Sequence, residues 1–136
     1  EFNKINFQAE SKKSGDEFED LVQQDLLVRG FGNIKKDHYV AETGCEVDFL
    51  AYTDSLEIEL VESKGGKPGK GKRPGAKRTD NVKKAIANGA LIKTVAPHLK
   101  YVVYFSSEPE PKSYSDEMIK TALKHKIIDE VRYISY

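Results

Sequence analysis

Residues 101–105 read Tyr-Val-Val-Tyr-Phe, five large side chains without a charged break. A strand with one face in water alternates polar and apolar residues, so this unbroken run predicts a strand buried on both faces. Such a strand needs cover on each side, which restricts the chain to a sheet flanked by helices. The remaining pattern supplies both kinds of element. A helix is predicted over Asp16 to Arg29, with Phe18, Leu21, Val22 and Leu26 on one stripe, Gly15 before it and Gly30 ending it. Strands are predicted over Asp37–Glu42, Glu46–Tyr52 and Leu56–Lys64, with turn chemistry at Thr43-Gly44 and a tight turn near Asp54-Ser55. Thr79 or Asp80 caps a second helix running to about Lys93, whose inner stripe is Val82, Ala85, Ile86, Gly89 and Ala90. Ala96-Pro97 breaks the chain before the apolar strand. Ser113 with Asp116 resembles a capping box and opens a third helix with Met118, Ile119, Ala122 and Leu123 on its core stripe. Val131–Tyr136 is the last predicted strand. The order is α-β-β-β-α-β-α-β, an α/β fold with a central mixed sheet. Residues 1–14 are read as an N-terminal extension and residues 15–136 as a single domain, a size that needs no disulfide staples. With Cys45 as the one cysteine, neither a disulfide framework nor a cysteine-rich zinc site is available.

Twenty-two basic and 22 acidic residues give a formal net charge of +0, which excludes a uniformly basic binder. The balance is uneven along the chain. Between Lys64 and Lys84 nine basic residues face the single acid Asp80, a local charge of +8. The same segment holds Gly65, Gly66, Gly69, Gly71, Gly75, Pro68 and Pro74, so Gly65–Ala76 is predicted to be a long mobile loop. It reads as a solvated linker or localisation signal, or as an arm that grips the phosphates of a polyanion. No apolar run is long enough to cross a bilayer, and no signal peptide is visible. The expected setting is cytoplasmic, with no membrane partner.

The chemistry concentrates in the hairpin of the second and third strands. Folded about Ser55, Tyr52 faces Ile58, Leu50 faces Leu60, and Asp48 faces Glu62. A two-residue turn would instead shift the pairing and misalign the acids. In the first register Asp48, Leu50 and Tyr52 share a face with Ile58, Leu60, Glu62 and Lys64, apolar near the turn and charged at the far end. Directly opposed residues have Cβ atoms roughly 5 Å apart, close enough for two carboxylates to share one cation. A hard divalent cation, Mg²⁺ or Mn²⁺, suits oxygen ligands and relieves their repulsion. Lys64 projects on the same side, where an ammonium can hold a water or stabilise charge on a phosphate. As isolated charges, Glu62 and Lys64 read as solvent-facing residues at a strand end, since charged residues are common in this chain. Asp48 inside Val47-Asp48-Phe49-Leu50-Ala51, and a basic segment that starts at Lys64, shift the balance toward a site.

Asp48 followed by Glu62-Ser63-Lys64 on the next strand resembles the signature of the PD-(D/E)XK nuclease superfamily. Gly15-x-x-Phe18-Glu19-x-x-Val22-x-x-x-Leu26-x-x-x-Gly30-Phe31 is similar to that superfamily's first core helix, as in archaeal Holliday-junction resolvases and many restriction-type nucleases. Arg78-Thr79-Asp80-Asn81-Val82-Lys83-Lys84-Ala85 resembles the helix that follows the motif in some phage and bacterial members. The likeness covers roughly residues 15–106, and departs from the pattern where Glu46-Val47-Asp48 replaces the nominal Pro-Asp pair. It implies a restriction-endonuclease-like core with a C-terminal helix and strand added, and Mg²⁺-dependent hydrolysis of nucleic-acid phosphodiesters, most often in DNA, with RNA open. Asp48 and Glu62 would bind Mg²⁺ or Mn²⁺ with the Ser63 backbone carbonyl, Glu19 would complete the metal shell, and Lys64 would position the water. Glu17 and Asp20 are nearby alternatives to Glu19. Lys67, Lys70, Lys72, Arg73, Lys77, Arg78, Asn81 and Lys84 would contact phosphates. Lys77, Asn81 and Lys84 share a side of the second helix if that helix begins early. Structure-selective cutting, or cutting as a homodimer or tetramer, would fit so small a domain. The alternative is a non-catalytic nucleic-acid-binding module that uses the basic loop. His38, His98 and His125 lack metal-ligand spacing, and Cys45 reads as a small packing residue.

Overall fold

The computed structural model describes residues 2–67 and 73–136, with residues 2–14 described by backbone alone. Lys70, Lys72 and the centre of the basic segment therefore lie outside the described residues, as do the side chains of the N-terminal extension.

Helix α1 runs Phe2–Val28, so it begins well before the predicted start at Asp16. Gly15 does not stop it: an interior glycine costs a helix about 1 kcal/mol and leaves its backbone hydrogen bonds intact. Phe18, Val22 and Leu26, four residues apart, are at most 1% exposed. The C-terminus closes as predicted at Gly30, which has φ +97°. Gly30 N donates to Leu27 O and Phe31 N to Leu26 O, at 3.0 and 2.9 Å. This is the paired bonding of a Schellman cap, with Phe31 packed in the same apolar cluster as Leu26.

Three antiparallel strands follow: β1 (Asn33–Val40), β2 (Cys45–Tyr52) and β3 (Ile58–Lys64). β1 lies four residues earlier than predicted at its start and ends at the Thr43-Gly44 turn. A 3-10 turn, Gly75–Lys77, and helix α2, Thr79–Val95, then lead to β4 (Lys100–Phe105). Helix α3, Tyr114–Lys124, leads to β5 (Glu130–Tyr133), shorter than the predicted 131–136. The sheet order is β1-β2-β3-β4-β5, with β4 parallel to β3 and β5 parallel to β4. Arg78 rather than Thr79 or Asp80 occupies the cap of α2, without a side-chain cap bond. Ser113 caps α3 as predicted, accepting from Asp116 N at 3.2 Å.

The fold is thus mixed α/β, and β4 is its centre. Val102 and Tyr104 pack with α1, while Tyr101, Val103 and Phe105 pack with α2 and α3. All five are fully buried. That is the double cover demanded by the apolar run. Along the two helices on the second face, Val82, Ala85, Gly89, Ile92, Ile119 and Ala122 are buried, whereas Ala90 and Leu123 of the predicted stripes are exposed. No helix among the described residues is long and apolar enough to cross a membrane.

Candidate active site

The hairpin pairs Leu50 with Leu60 and Tyr52 with Ile58, the register that sets Asp48 toward Glu62. Three residues, Asp54-Ser55-Leu56, form its turn. Leu56 takes φ +66°, and Thr53 Oγ1 accepts from Glu57 N at 3.0 Å. A left-handed third residue is what a three-residue hairpin loop requires.

Regular alternation fails at Asp48. Val47 packs on the α2 side, yet Phe49 and Ala51 pack on the α1 side. Between the pairs Lys36–Phe49 and His38–Val47 the register is unchanged but Asp37 and Asp48 are not bridged, and Asp37 has φ +52°. The pairing of β2 with β3 also ends at Phe49–Val61. Beyond it the Asp48 side chain replaces the strand: Oδ2 accepts from Ser63 N at 2.7 Å and from Ser63 Oγ at 2.9 Å. Asp48 is therefore a carboxylate wedged where two strands part, and not the flat-face residue that simple alternation predicts.

Glu62 is 4% exposed on the α2 side of β3, and Asn88 Nδ2 of α2 donates to its Oε2 at 2.7 Å. Burial, then hydrogen bonding to Asp48 and the Asp48 charge, push the Glu62 carboxyl up to about 9, against the lowering influence of Lys64 and Asn88. Glu19 of α1 is pushed up to about 7, first by burial and then by Asp48, with Lys36 opposing and Asp37 and Asp16 adding. Asp48 is the common neighbour. Its charge reaches one carboxyl from α1 and another from β3, so Glu19, Asp48 and Glu62 converge from three elements. Of the three acids weighed on α1, Glu17 instead holds Lys67 at 2.6 Å and Asp20 is exposed. Lys64 is half-buried, acts on Glu62, and forms no salt bridge among the described residues. Among those residues no three Asp, Glu, His or Cys side chains stand in a ready metal-ligating arrangement. The closest association is the acid pair, Glu62 hydrogen-bonded to Asp48.

A buried carboxyl pushed up by burial and by a neighbouring carboxylate is a fit for a hard cation, whose positive charge offsets that repulsion. Asp48 and Glu62 are the residues that could hold one, with Glu19 and Ser63 beside them. α1 reaches this point because Gly65 follows Lys64. A Cβ on Gly65 would come within 2.7–2.9 Å of Phe18, the neighbour of Glu19.

The described ends of the basic segment are pinned rather than free. Gly66 O accepts from Ser106 Oγ at 2.9 Å, and Pro74 O from Ser107 Oγ at 2.5 Å. Gly75 and Ala76, predicted as loop, are buried in the 3-10 turn. Gly75 has φ +52°, and a Cβ there would meet Ser107 N at 2.6 Å. Lys67 lies 5.1 Å over the Tyr136 ring in addition to pairing with Glu17. Lys77 stands on the 3-10 turn, not on α2, and pairs with Glu110 at 2.7 Å. Asn81 is spent on Gly75 O at 3.0 Å. Arg73, Arg78 and Lys84 remain exposed, without a salt bridge among the described residues.

Asn88 was invisible as a site residue because an amide in an alanine-rich helix carries no charge signal. Cys45 is buried against α2, as a packing residue should be. No protein family profile matches this chain, and no curated protein matches its sequence.

Proposed function

We propose that the chain is a divalent-metal-dependent nuclease of the PD-(D/E)XK kind, built on a restriction-endonuclease-like core and acting on DNA inside the cell. One observation carries the reading. Asp48, where β2 and β3 part, accepts from Ser63 N, next to the buried Glu62 on β3, beside Lys64 and at the start of the chain's most basic segment. The strand order, with three antiparallel strands extended by parallel β4 and β5, supports it.

In this reading Asp48 and Glu62 hold Mg²⁺, for which Mn²⁺ substitutes, and Glu19 and the Ser63 carbonyl complete the shell. The bound cation supplies Lewis-acid polarisation of a phosphoryl oxygen and a lowered pKa for water. Lys64 orients the attacking water and offsets the charge that builds on the phosphate. Water oxygen bonds to phosphorus as the bond to one sugar oxygen breaks, and that oxygen takes up a proton. Arg73, Arg78 and Lys84, with Lys70 and Lys72, hold flanking phosphates and position the strand without reading its sequence. Structure-selective cutting, or cutting as a homo-oligomer, fits so small a domain.

The test is incubation of the protein with plasmid and branched DNA, with Mg²⁺, with Mn²⁺ and with EDTA. Metal-dependent cutting is expected, lost in Glu62→Ala and Lys64→Ala while DNA binding is retained. Tight binding without cutting under either metal would assign the chain to non-catalytic DNA binding instead.

A further inference from the structure

We infer that Asn88 is the positioning residue for Glu62, holding its carboxylate in the orientation from which it takes a divalent cation together with Asp48. The inference rests on the metal-site reading above and adds to it a residue outside the D…ExK motif.

Asn88 Nδ2 reaches from α2 across to β3 and meets Glu62 Oε2 at 2.7 Å. With that oxygen tethered, the carboxylate no longer rotates freely about its last bond, and its second oxygen keeps one orientation. Tethering is useful only if the donor itself is fixed, and this one is. The next residue, Gly89, lies where α2 comes closest to the sheet. A Cβ there would meet Ile127 O at 2.6 Å and Tyr101 Cε2 at 2.8 Å. Tyr101 Oη donates to Ala85 O at 2.8 Å, one turn earlier. Cys45 Sγ of β2 lies 4.0 Å from Asn88 O itself. The turn of α2 that carries Asn88 is thus held by β2, by β4 and by the chain entering β5. A donor locked by such packing orients a ligand far better than one on a free surface.

The residue type fits as well. Lysine or arginine at 88 would be a permanent counter-ion for Glu62 and would compete with a cation. Aspartate would add a third repelling charge. A neutral amide fixes the carboxylate and leaves both negative charges of the pair for a divalent ion.

The experiment uses the full chain with Asn88→Ala and Asn88→Gln, at one fixed pH. Mn²⁺ binding is followed by the spin-resonance signal of free Mn²⁺, without DNA, and melting is recorded in EDTA. Mn²⁺ affinity is expected to fall about tenfold to a hundredfold in both variants, the usual loss when a residue orienting a ligand is removed. Asn88→Gln keeps the amide but displaces it by one methylene, so it separates placement from polarity and decides alone should Asn88→Ala not fold. In plasmid cutting the Mg²⁺ midpoint should rise while the rate at saturating Mg²⁺ is largely kept, whereas Glu62→Ala loses both. Variants that bind Mn²⁺ as tightly as the wild type, whatever their melting temperature, would overturn the inference and leave the nuclease reading standing. A wild-type chain that binds no Mn²⁺ would remove the metal site and this inference with it.

Discussion

At the scale of single residues, the raised acids of the candidate site oppose folding as pH rises. The Glu62 and Glu19 carboxyls hold their protons more tightly in the folded chain, to about 9 and about 7, than the ordinary 4.5. A carboxyl raised in this way contributes stability that is present below its unfolded pKa and is lost as pH rises through the folded one. In EDTA, thermal stability should therefore fall from about pH 5 toward pH 9, and Mg²⁺ should restore it most at the alkaline end. Glu62→Gln keeps the shape and the contact with Asn88 but carries no charge. It should flatten the alkaline limb, melt higher than the wild type at pH 9 in EDTA, and cut no DNA. A pH–melting curve identical to wild type would show that Glu62 is not held protonated by its surroundings. How much of the site was legible differs by residue. Asp48, Glu62 and Lys64 could be read because charges inside apolar strands are conspicuous, whereas Glu19 was reached only through the resemblance of its helix to a superfamily pattern, with Glu17 and Asp20 as alternatives. Asn88 could not, since its meaning depends on which carboxylate its helix lies against.

At the scale of elements, the site depends on how closely α1 approaches the end of β3. That approach runs through Gly65, where a side chain would overlap Phe18 at 2.7–2.9 Å. Gly65→Ala should push α1 outward and carry Glu19 from Asp48. Overpacking of this kind costs about 1–3 kcal/mol, so a lower melting temperature is expected together with reduced cleavage. Wild-type values of both would mean that Phe18 yields without moving its helix. The elements themselves were largely readable, because apolar periodicity and the caps at Gly30 and Ser113 are local properties. Where the reading failed, the cause was tertiary. The face change of β2 at Asp48 coincides with the left-handed Asp37 on β1 and with the parting of β2 and β3, neither of which an alternation rule contains. The 3-10 turn at Gly75–Lys77 is held by Ser107, some thirty residues further along, which accepts from Ala76 N and donates to Pro74 O at the turn's start. Composition alone marked that stretch as loop.

At the scale of the whole molecule, two ends of the sheet have different tasks. The candidate site lies where β3 ends, while its beginning carries a buried ion pair. Arg132 and Glu59, 7% and 2% exposed, meet through two 2.8 Å bonds. Tyr104 Oη joins Arg132 at 2.8 Å and donates to Asp25 of α1 at 2.6 Å, so the group ties β3, β4, β5 and α1 together. Removing Arg132 leaves the buried Glu59 with only Lys100, 3.1 Å away and partly exposed, as its counter-ion. Arg132→Ala should cost about 3–5 kcal/mol, measurable by denaturant unfolding, and should leave cleavage per folded molecule near wild type. A loss below about 1 kcal/mol would make the network a surface feature in energetic terms. The sequence by itself determined the α/β layering, through the run at 101–105, and narrowed the hairpin to two registers, of which the structure shows the one that aims Asp48 at Glu62. Both follow from periodicity and turn chemistry, which act over a few residues. Tertiary structure alone decided that Glu19 and not Glu17 or Asp20 faces Asp48, that Asn88 holds Glu62, and that Arg132 balances Glu59. Those pairings join residues far apart in the chain, and they exist only because packing on both faces of β4 brings distant helices against one sheet.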